Sequence, residues 1–214
     1  MSARADARRQ APLADGLQRA ADGIVRCWWC GDLEDYVRYH DQEWGVPVVD
    51  EHRLFEKLAL EGFQAGLSWL TILRKRDNFR AAFAGFDPAR VARFGARDVA
   101  RLLADAGIVR HRGKIEATIQ NARAYLELCE REGSLRDFVW GFAPQSAPAP
   151  RRKQDIVSTS AESAALSKAL KARGWRFVGP TTVYAFFQAM GLVNDHLEGC
   201  HRRGIVAAMP RPQG

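Results

Sequence analysis

Leu102-Leu103-Ala104-Asp105-Ala106-Gly107-Ile108-Val109-Arg110-His111-Arg112-Gly113-Lys114-Ile115 reads as a helix end, a tight turn and a helix start. Val99, Leu102 and Leu103 keep helical spacing up to Gly107, and Ile115, Ile119, Ala122 and Leu126 resume it after Gly113. Two helices joined by so short a connection form a hairpin. A glycine-flanked hairpin that opens a helix exposes backbone N–H groups and the positive end of the helix dipole, which suits a phosphate. Arg110, Arg112 and Lys114 add charge at the same place. On spacing alone, a plain helix–helix turn with a solvated basic rim fits equally well.

On both sides of this stretch the chain stays helical. Asp50 can cap a helix carrying Leu54, Phe55 and Leu58 on one face, and Ser68 can start another with Leu70, Ile72 and Leu73 inward. Asp87-Pro88 is a start signal, a capping carboxylate followed by proline at the first helical position. Pro144, Pro148 and Pro150, followed by Arg151-Arg152-Lys153, mark a surface loop. Thr159 with Glu162 forms a capping-box pattern for a helix ending at Gly174, and a last apolar helix follows Pro180. The best strand pattern is the short Trp175–Val178 stretch. The fold class expected is all-α.

The 214 residues suffice for a buried core. A formal net charge of +7 favours a polyanionic partner. The sequence holds no apolar run of the roughly 20 residues a membrane span needs and no secretory signal, so a cytoplasmic, reducing location is expected. There, four cysteines read as metal ligands or buried thiols before disulfides. Residues 1–23 read as a disordered basic tail, 24–204 as a helical domain of two lobes, and 205–214 as a flexible tail.

Two half-sites stand at opposite ends of the chain: Cys27 with His40, and His196 with Cys200. Together they make a Cys₂His₂ set, the shell a structural Zn²⁺ prefers, and they would clasp the two ends of one folded body. Cys30 and His201 are competing ligands by spacing alone. Aromatics form a second constellation, with Trp28, Trp29, Tyr36, Tyr39, Trp44 and Trp69 in a short stretch and Glu61 between them. Rings are most often core. A carboxylate among them is costly unless it meets a cation or several donors.

The hairpin resembles the helix-hairpin-helix of proteins that hold DNA without reading bases. Four runs together carry a closer resemblance: Tyr39-His40-Asp41-Gln42-Glu43-Trp44-Gly45-Val46-Pro47, Leu60-Glu61-Gly62-Phe63-Gln64-Ala65-Gly66-Leu67-Ser68-Trp69, Gly107 to Ile115, and Gly191-Leu192-Val193-Asn194-Asp195-His196. In this order they resemble the DNA-3-methyladenine glycosylase I family of the helix-hairpin-helix glycosylase superfamily, over roughly residues 26–202.

The resemblance implies a helix-hairpin-helix near residues 99–126 and one structural zinc per chain on Cys27, His40, His196 and Cys200. It implies that Glu61 recognises the base, with Trp29, Tyr36, Tyr39, Trp44 and Trp69 around it. Leu67, at the Gly66–Leu67 corner, is the candidate wedge for the gap left in the duplex, with a helix-start core residue as the competing reading. Gly107, Val109, Arg110, Arg112, Gly113 and Lys114 would hold the DNA backbone. The chemistry agrees, because a 3-methylated adenine in DNA is cationic and aromatic faces attract it. The reaction implied is hydrolysis of the N-glycosidic bond in double-stranded DNA containing alkylated purines, by a monomer with no membrane partner. Related glycosylases place an activating Asp after the hairpin. Asp137 is the nearest candidate, but it reads better as a first-turn residue, and the family resembled lacks that Asp. The rival readings are a zinc-clasped protein that binds lesions without catalysis and a glycosylase for another modified base.

Overall fold

The computed structural model describes residues 12–146 and 149–212. Pro148 of the expected loop and residues 1–11 of the expected tail lie outside them. The described residues are overwhelmingly helical, with one short pair of strands: β1 (Leu17–Arg19) and β2 (Val25–Cys27), antiparallel with Leu17 opposite Cys27. Leu17–Arg19, within the stretch read as a disordered tail, form a strand, whereas Trp175–Val178, the best strand pattern in the sequence, do not.

The helices are α1 (Glu34–Gln42), α2 (Glu51–Gln64), α3 (Trp69–Ala82), α4 (Pro88–Val91), α5 (Ala96–Ala104), α6 (Arg112–Glu132), α7 (Leu135–Trp140), α8 (Ala161–Ala172), α9 (Pro180–Met190) and α10 (His201–Ala207). Local chemistry sets their starts. Asp50 accepts from Arg53 N–H, Ser68 from Thr71 N–H, and Asp87 from the Ala89 and Arg90 amides ahead of Pro88. Such caps are worth about 1 kcal/mol each. At α8 the cap is Ser160 paired with Ser163, one residue beyond the expected Thr159.

α2 is the hub, packed against α3, α6, α7 and α9. Its Leu54, Phe55, Leu58, Leu60 and Phe63 are buried, on more than the one face expected, because neighbours cover the helix on several sides. Each such side chain contributes roughly 1.5–3 kcal/mol of burial. α9 ends at Gly191 in the left-handed region (φ 77°), where a Cβ would stand 2.5 Å from Pro47 N. Only glycine lets the Gly45–Pro47 segment cross so closely. That crossing fixes the α1–α2 connection against the start of the Asn194–His196 segment.

Candidate active site and metal cluster

A cavity of about 220 Å³ opens between α1, α2, α3 and α9, lined by Trp28, Trp29, Tyr36, Tyr39, Trp44, Glu61, Gln64, Trp69, Ile156, Ala185, Gln188 and Ala189. It therefore gathers Glu61 and all six aromatics of the constellation named from the sequence. The size is below the ~300–1,000 Å³ of drug-sized sites and suits one base better than a nucleotide. The rings brace one another. Trp29 meets Tyr36 edge-on at 5.1 Å and Trp44 at 4.9 Å, and Tyr39 lies 5.4 Å from Trp69. The buried indole Nε1 groups of Trp29 and Trp69 have no hydrogen-bond partner among the described residues.

Glu61 is 5% exposed, and its Oε1 accepts from Lys57 Nζ at 2.7 Å. Lys57 is equally buried, donates to Tyr39 OH at 3.2 Å and stands 3.1 Å from the centroid of the Trp69 ring. One ammonium thus ties together Glu61 of α2, Tyr39 of α1 and Trp69 of α3 from behind the cavity wall. Burial pushes the Glu61 carboxyl above the usual range, against the pull of Lys57. Burial also pulls Lys57 down to about 8, against the pull of Glu61. The Tyr39 hydroxyl is driven well above its ordinary value, first by burial and then by Glu61.

Sequence reasoning missed Lys57, although its i,i+4 spacing to Glu61 was a visible signal. It also missed Gln188, whose Nε2 donates to Asp195 Oδ2 at 2.8 Å, and the small Ala185 and Ala189 that leave the cavity open. Asp137 lies elsewhere, in the first turn of α7, exposed and paired with Arg136.

Beside the cavity, Cys27, His40, His196 and Cys200 are all buried, and one ligand atom from each falls within 4.8 Å of the others. Cys200 Sγ is 3.6 Å from both His40 Nε2 and His196 Nδ1, and Cys27 Sγ is 3.9 Å from His196 Nδ1. The remaining imidazole nitrogens are engaged. His40 Nδ1 pairs with Asp41 Oδ1 at 2.7 Å, and His196 Nε2 with the Trp44 carbonyl at 3.0 Å. Asp41 also accepts from Arg26 at 2.8 Å and from His201 at 2.9 Å, which accounts for His201. Cys30 turns away and donates to the Cys27 carbonyl. The adjoining Cys27 thiol, and after it the two imidazoles, hold the Cys200 thiol well below its ordinary value, against burial. The cluster could hold a metal ion.

The hairpin residues divide. Arg110 and Arg112 are exposed, Arg112 pairing with Glu116 at 3.2 Å. Val109 is half-buried against the core. Gly107 gives its N–H to Asp105 and its carbonyl to Lys75, and Gly113 sits half-buried in the first turn of α6. Lys114 is a correction. It is 7% exposed, and its ammonium donates to Phe63 O at 2.8 Å and Ala65 O at 2.6 Å. Its charge is spent on the carbonyl end of α2 and does not face a surface. There it braces the corner after α2, where Gly66 takes φ 81° and Leu67 is 43% exposed.

Residues 29–203 match the methyladenine glycosylase family. The chain is 55% identical to DNA-3-methyladenine glycosylase 1 of Escherichia coli K12 over 83% of its own length and 96% of that protein. It superposes on the crystal structure of a 3-methyladenine DNA glycosylase I with a TM-score of 0.80 at 50% identity, covering 82% of this chain and 98% of that one. A variant of a 3-methyladenine DNA glycosylase I in complex with 3-methyladenine gives a TM-score of 0.80 at 37% identity, over 83% and 97% of the two chains.

Proposed function

The chain belongs to the methyladenine glycosylase family, and from that premise we propose that it is a monofunctional DNA glycosylase that excises 3-methyladenine from alkylated double-stranded DNA. The observation that carries the reading is a base-sized cavity walled by aromatic rings with one buried carboxylate, Glu61, on its lining.

The lesion leaves the stack, at a cost that is lowest for a damaged pair. In the cavity, the faces of Tyr36, Tyr39, Trp44 and Trp69 attract its positive charge, and Glu61 accepts from its amino group. Lys57 changes the electrostatics expected from the sequence. Glu61 is not a lone negative charge, so discrimination against neutral adenine rests on the aromatic faces and on an acceptor held in one orientation. When the bond from C1′ to the base breaks, the electron pair leaves with the base, which departs neutral. Water then adds at C1′ and releases a proton. A cationic base is already a good leaving group, so little proton donation is required, and the cavity's residues act by binding and orientation.

The four buried ligands suit Zn²⁺. Zn–S of about 2.3 Å and Zn–N of about 2.0–2.1 Å require S···N edges of roughly 3.5 Å in a tetrahedron, close to the 3.6 Å separations at Cys200. Bound zinc would be structural, because four protein ligands leave no position for water. Its function is to clasp the pocket wall. Cys27, His40 and His196 adjoin or nearly adjoin Trp29, Tyr39 and Asp195, and Asp195 orients Gln188. The hairpin between α5 and α6 acts as a helix-hairpin-helix, holding the DNA backbone through Arg110, Arg112 and the open amides at the start of α6, with Leu67 as the wedge. In this reading the protein acts as a monomer.

Release of free 3-methyladenine from methylated duplex, leaving an abasic site, tests the reading. Tight binding of methylated duplex with no base released would favour the non-catalytic lesion-binding alternative.

A further inference from the structure

Among the described residues, three non-glycines take positive φ: Ala84, Phe86 and Phe177. Phe177 alone of these is exposed, at 37%, with φ 56°. A bulky side chain avoids that region, and an exposed ring gains little burial to offset the strain. The neighbours enforce it. Buried Asn121 of α6 clamps the preceding residue from both sides, accepting from Arg176 N–H at 2.7 Å and donating to Arg176 O at 2.9 Å. Buried Ser167 of α8 donates to the Val178 carbonyl at 2.6 Å. Against the base of the Phe177 side chain, α2 presents Gly62, where an added Cβ would come 3.3 Å from Phe177 Cβ. Strain that the surroundings over-determine at a surface points to a task at that surface.

The place is specific. Gly62 adjoins Glu61, and α2 ends a turn later at the corner carrying Leu67, braced by Lys114 from α6. The Phe177 ring meets His111, on the hairpin, at 6.4 Å between centroids. Phe177 also leads into α9, which supplies Ala185, Gln188 and Ala189 to the cavity. Arg110 and Arg176, on the same two segments, are exposed and make no ion pair among the described residues. An exposed aromatic ring on segments that also carry exposed cations suits a polyanion that carries flat bases.

We infer that Phe177 is a second apolar DNA contact, which lies against the duplex beside the extruded base and holds the strand at the cavity mouth. It is a positioning residue and does not touch the base inside the cavity. The inference rests on the glycosylase reading.

Phe177→Gly and Phe177→Asn both accept left-handed backbone, so they remove the ring without adding strain. The test compares each with wild type in three measurements: affinity for a duplex carrying a tetrahydrofuran abasic-site analogue, affinity for free 3-methyladenine by tryptophan fluorescence, and the thermal unfolding midpoint. Duplex affinity should fall about tenfold, the scale of one lost aromatic–base stack. KM for methylated DNA should rise with it. Free-base affinity should stay unchanged, and the midpoint should move by no more than about 4 °C. Unchanged duplex affinity overturns the inference, and so does a parallel loss of duplex and free-base binding. Wild-type protein that releases no 3-methyladenine and binds no duplex would remove the glycosylase reading itself. Active wild type with unaltered variants removes only Phe177.

Discussion

Lys57 Nζ lies 2.7 Å from Glu61 Oε1, one helical turn away on α2, with both side chains almost fully buried. On a solvated helix face such a pair is worth a few tenths of a kcal/mol. Out of water, the balance differs: each charge is tolerated only because the other is present, and removing one partner strands the other.

The pair gives the pocket a pH dependence. Burial raises the Glu61 carboxyl and Lys57 holds it down. The form proposed to accept from the base is the carboxylate, so activity should be present above the Glu61 pKa and lost as pH falls through it. Lys57→Met removes the restraining cation, and the acid limb of kcat/KM should move up by about 1–3 pH units, the usual effect of an adjacent opposite charge. An unmoved limb would mean that Lys57 does not act through Glu61.

The metal cluster predicts one zinc per chain. Cys200→Ser and His40→Ala should lose it, and Cys30→Ser should retain it, because the Cys30 thiol faces the Cys27 carbonyl. Asp41→Asn keeps all four ligands but weakens the hold on His40 Nδ1. Zinc affinity should fall about 10- to 100-fold, as when other outer partners of metal-bound histidines are altered. Metal analysis with a competing chelator measures all four. Stoichiometric zinc in both Cys200→Ser and His40→Ala would contradict the ligand set.

Arg110 and Lys114 stand close in sequence, yet Arg110 is exposed and Lys114 is buried. Arg110→Gln should reduce the slope of log affinity against log salt by about one. Lys114→Met should leave the slope unchanged and lower the stability, since its ammonium serves the Phe63 and Ala65 carbonyls. A slope change in Lys114→Met would return that residue to the DNA contacts.

What was legible from the sequence was local. Asp50, Ser68 and Asp87 announce helix starts because a cap is satisfied within three residues. The aromatics on the first pocket wall were legible through close spacing and matched motifs. Lys57 was not, because its spacing to Glu61 is common on exposed faces and only packing buries both. Gln188 and the two alanines of α9 arrive from a distant segment, with no local mark. Lys114 was read as a surface charge because its partners are carbonyls far back in the chain. The three-residue strands β1 and β2 are too short to show alternation.

The central claim is that the Glu61 pocket removes 3-methyladenine from DNA. The most direct measurement is the identity and amount of base released from methylated duplex by wild type and by Glu61→Gln. Wild type should release free 3-methyladenine and leave an unbroken strand with an abasic site. Glu61→Gln should be slower by about 10- to 100-fold, the scale of a lost hydrogen bond to a charged group, while remaining folded. No 3-methyladenine from wild type, or equal rates from the two proteins, would contradict the account.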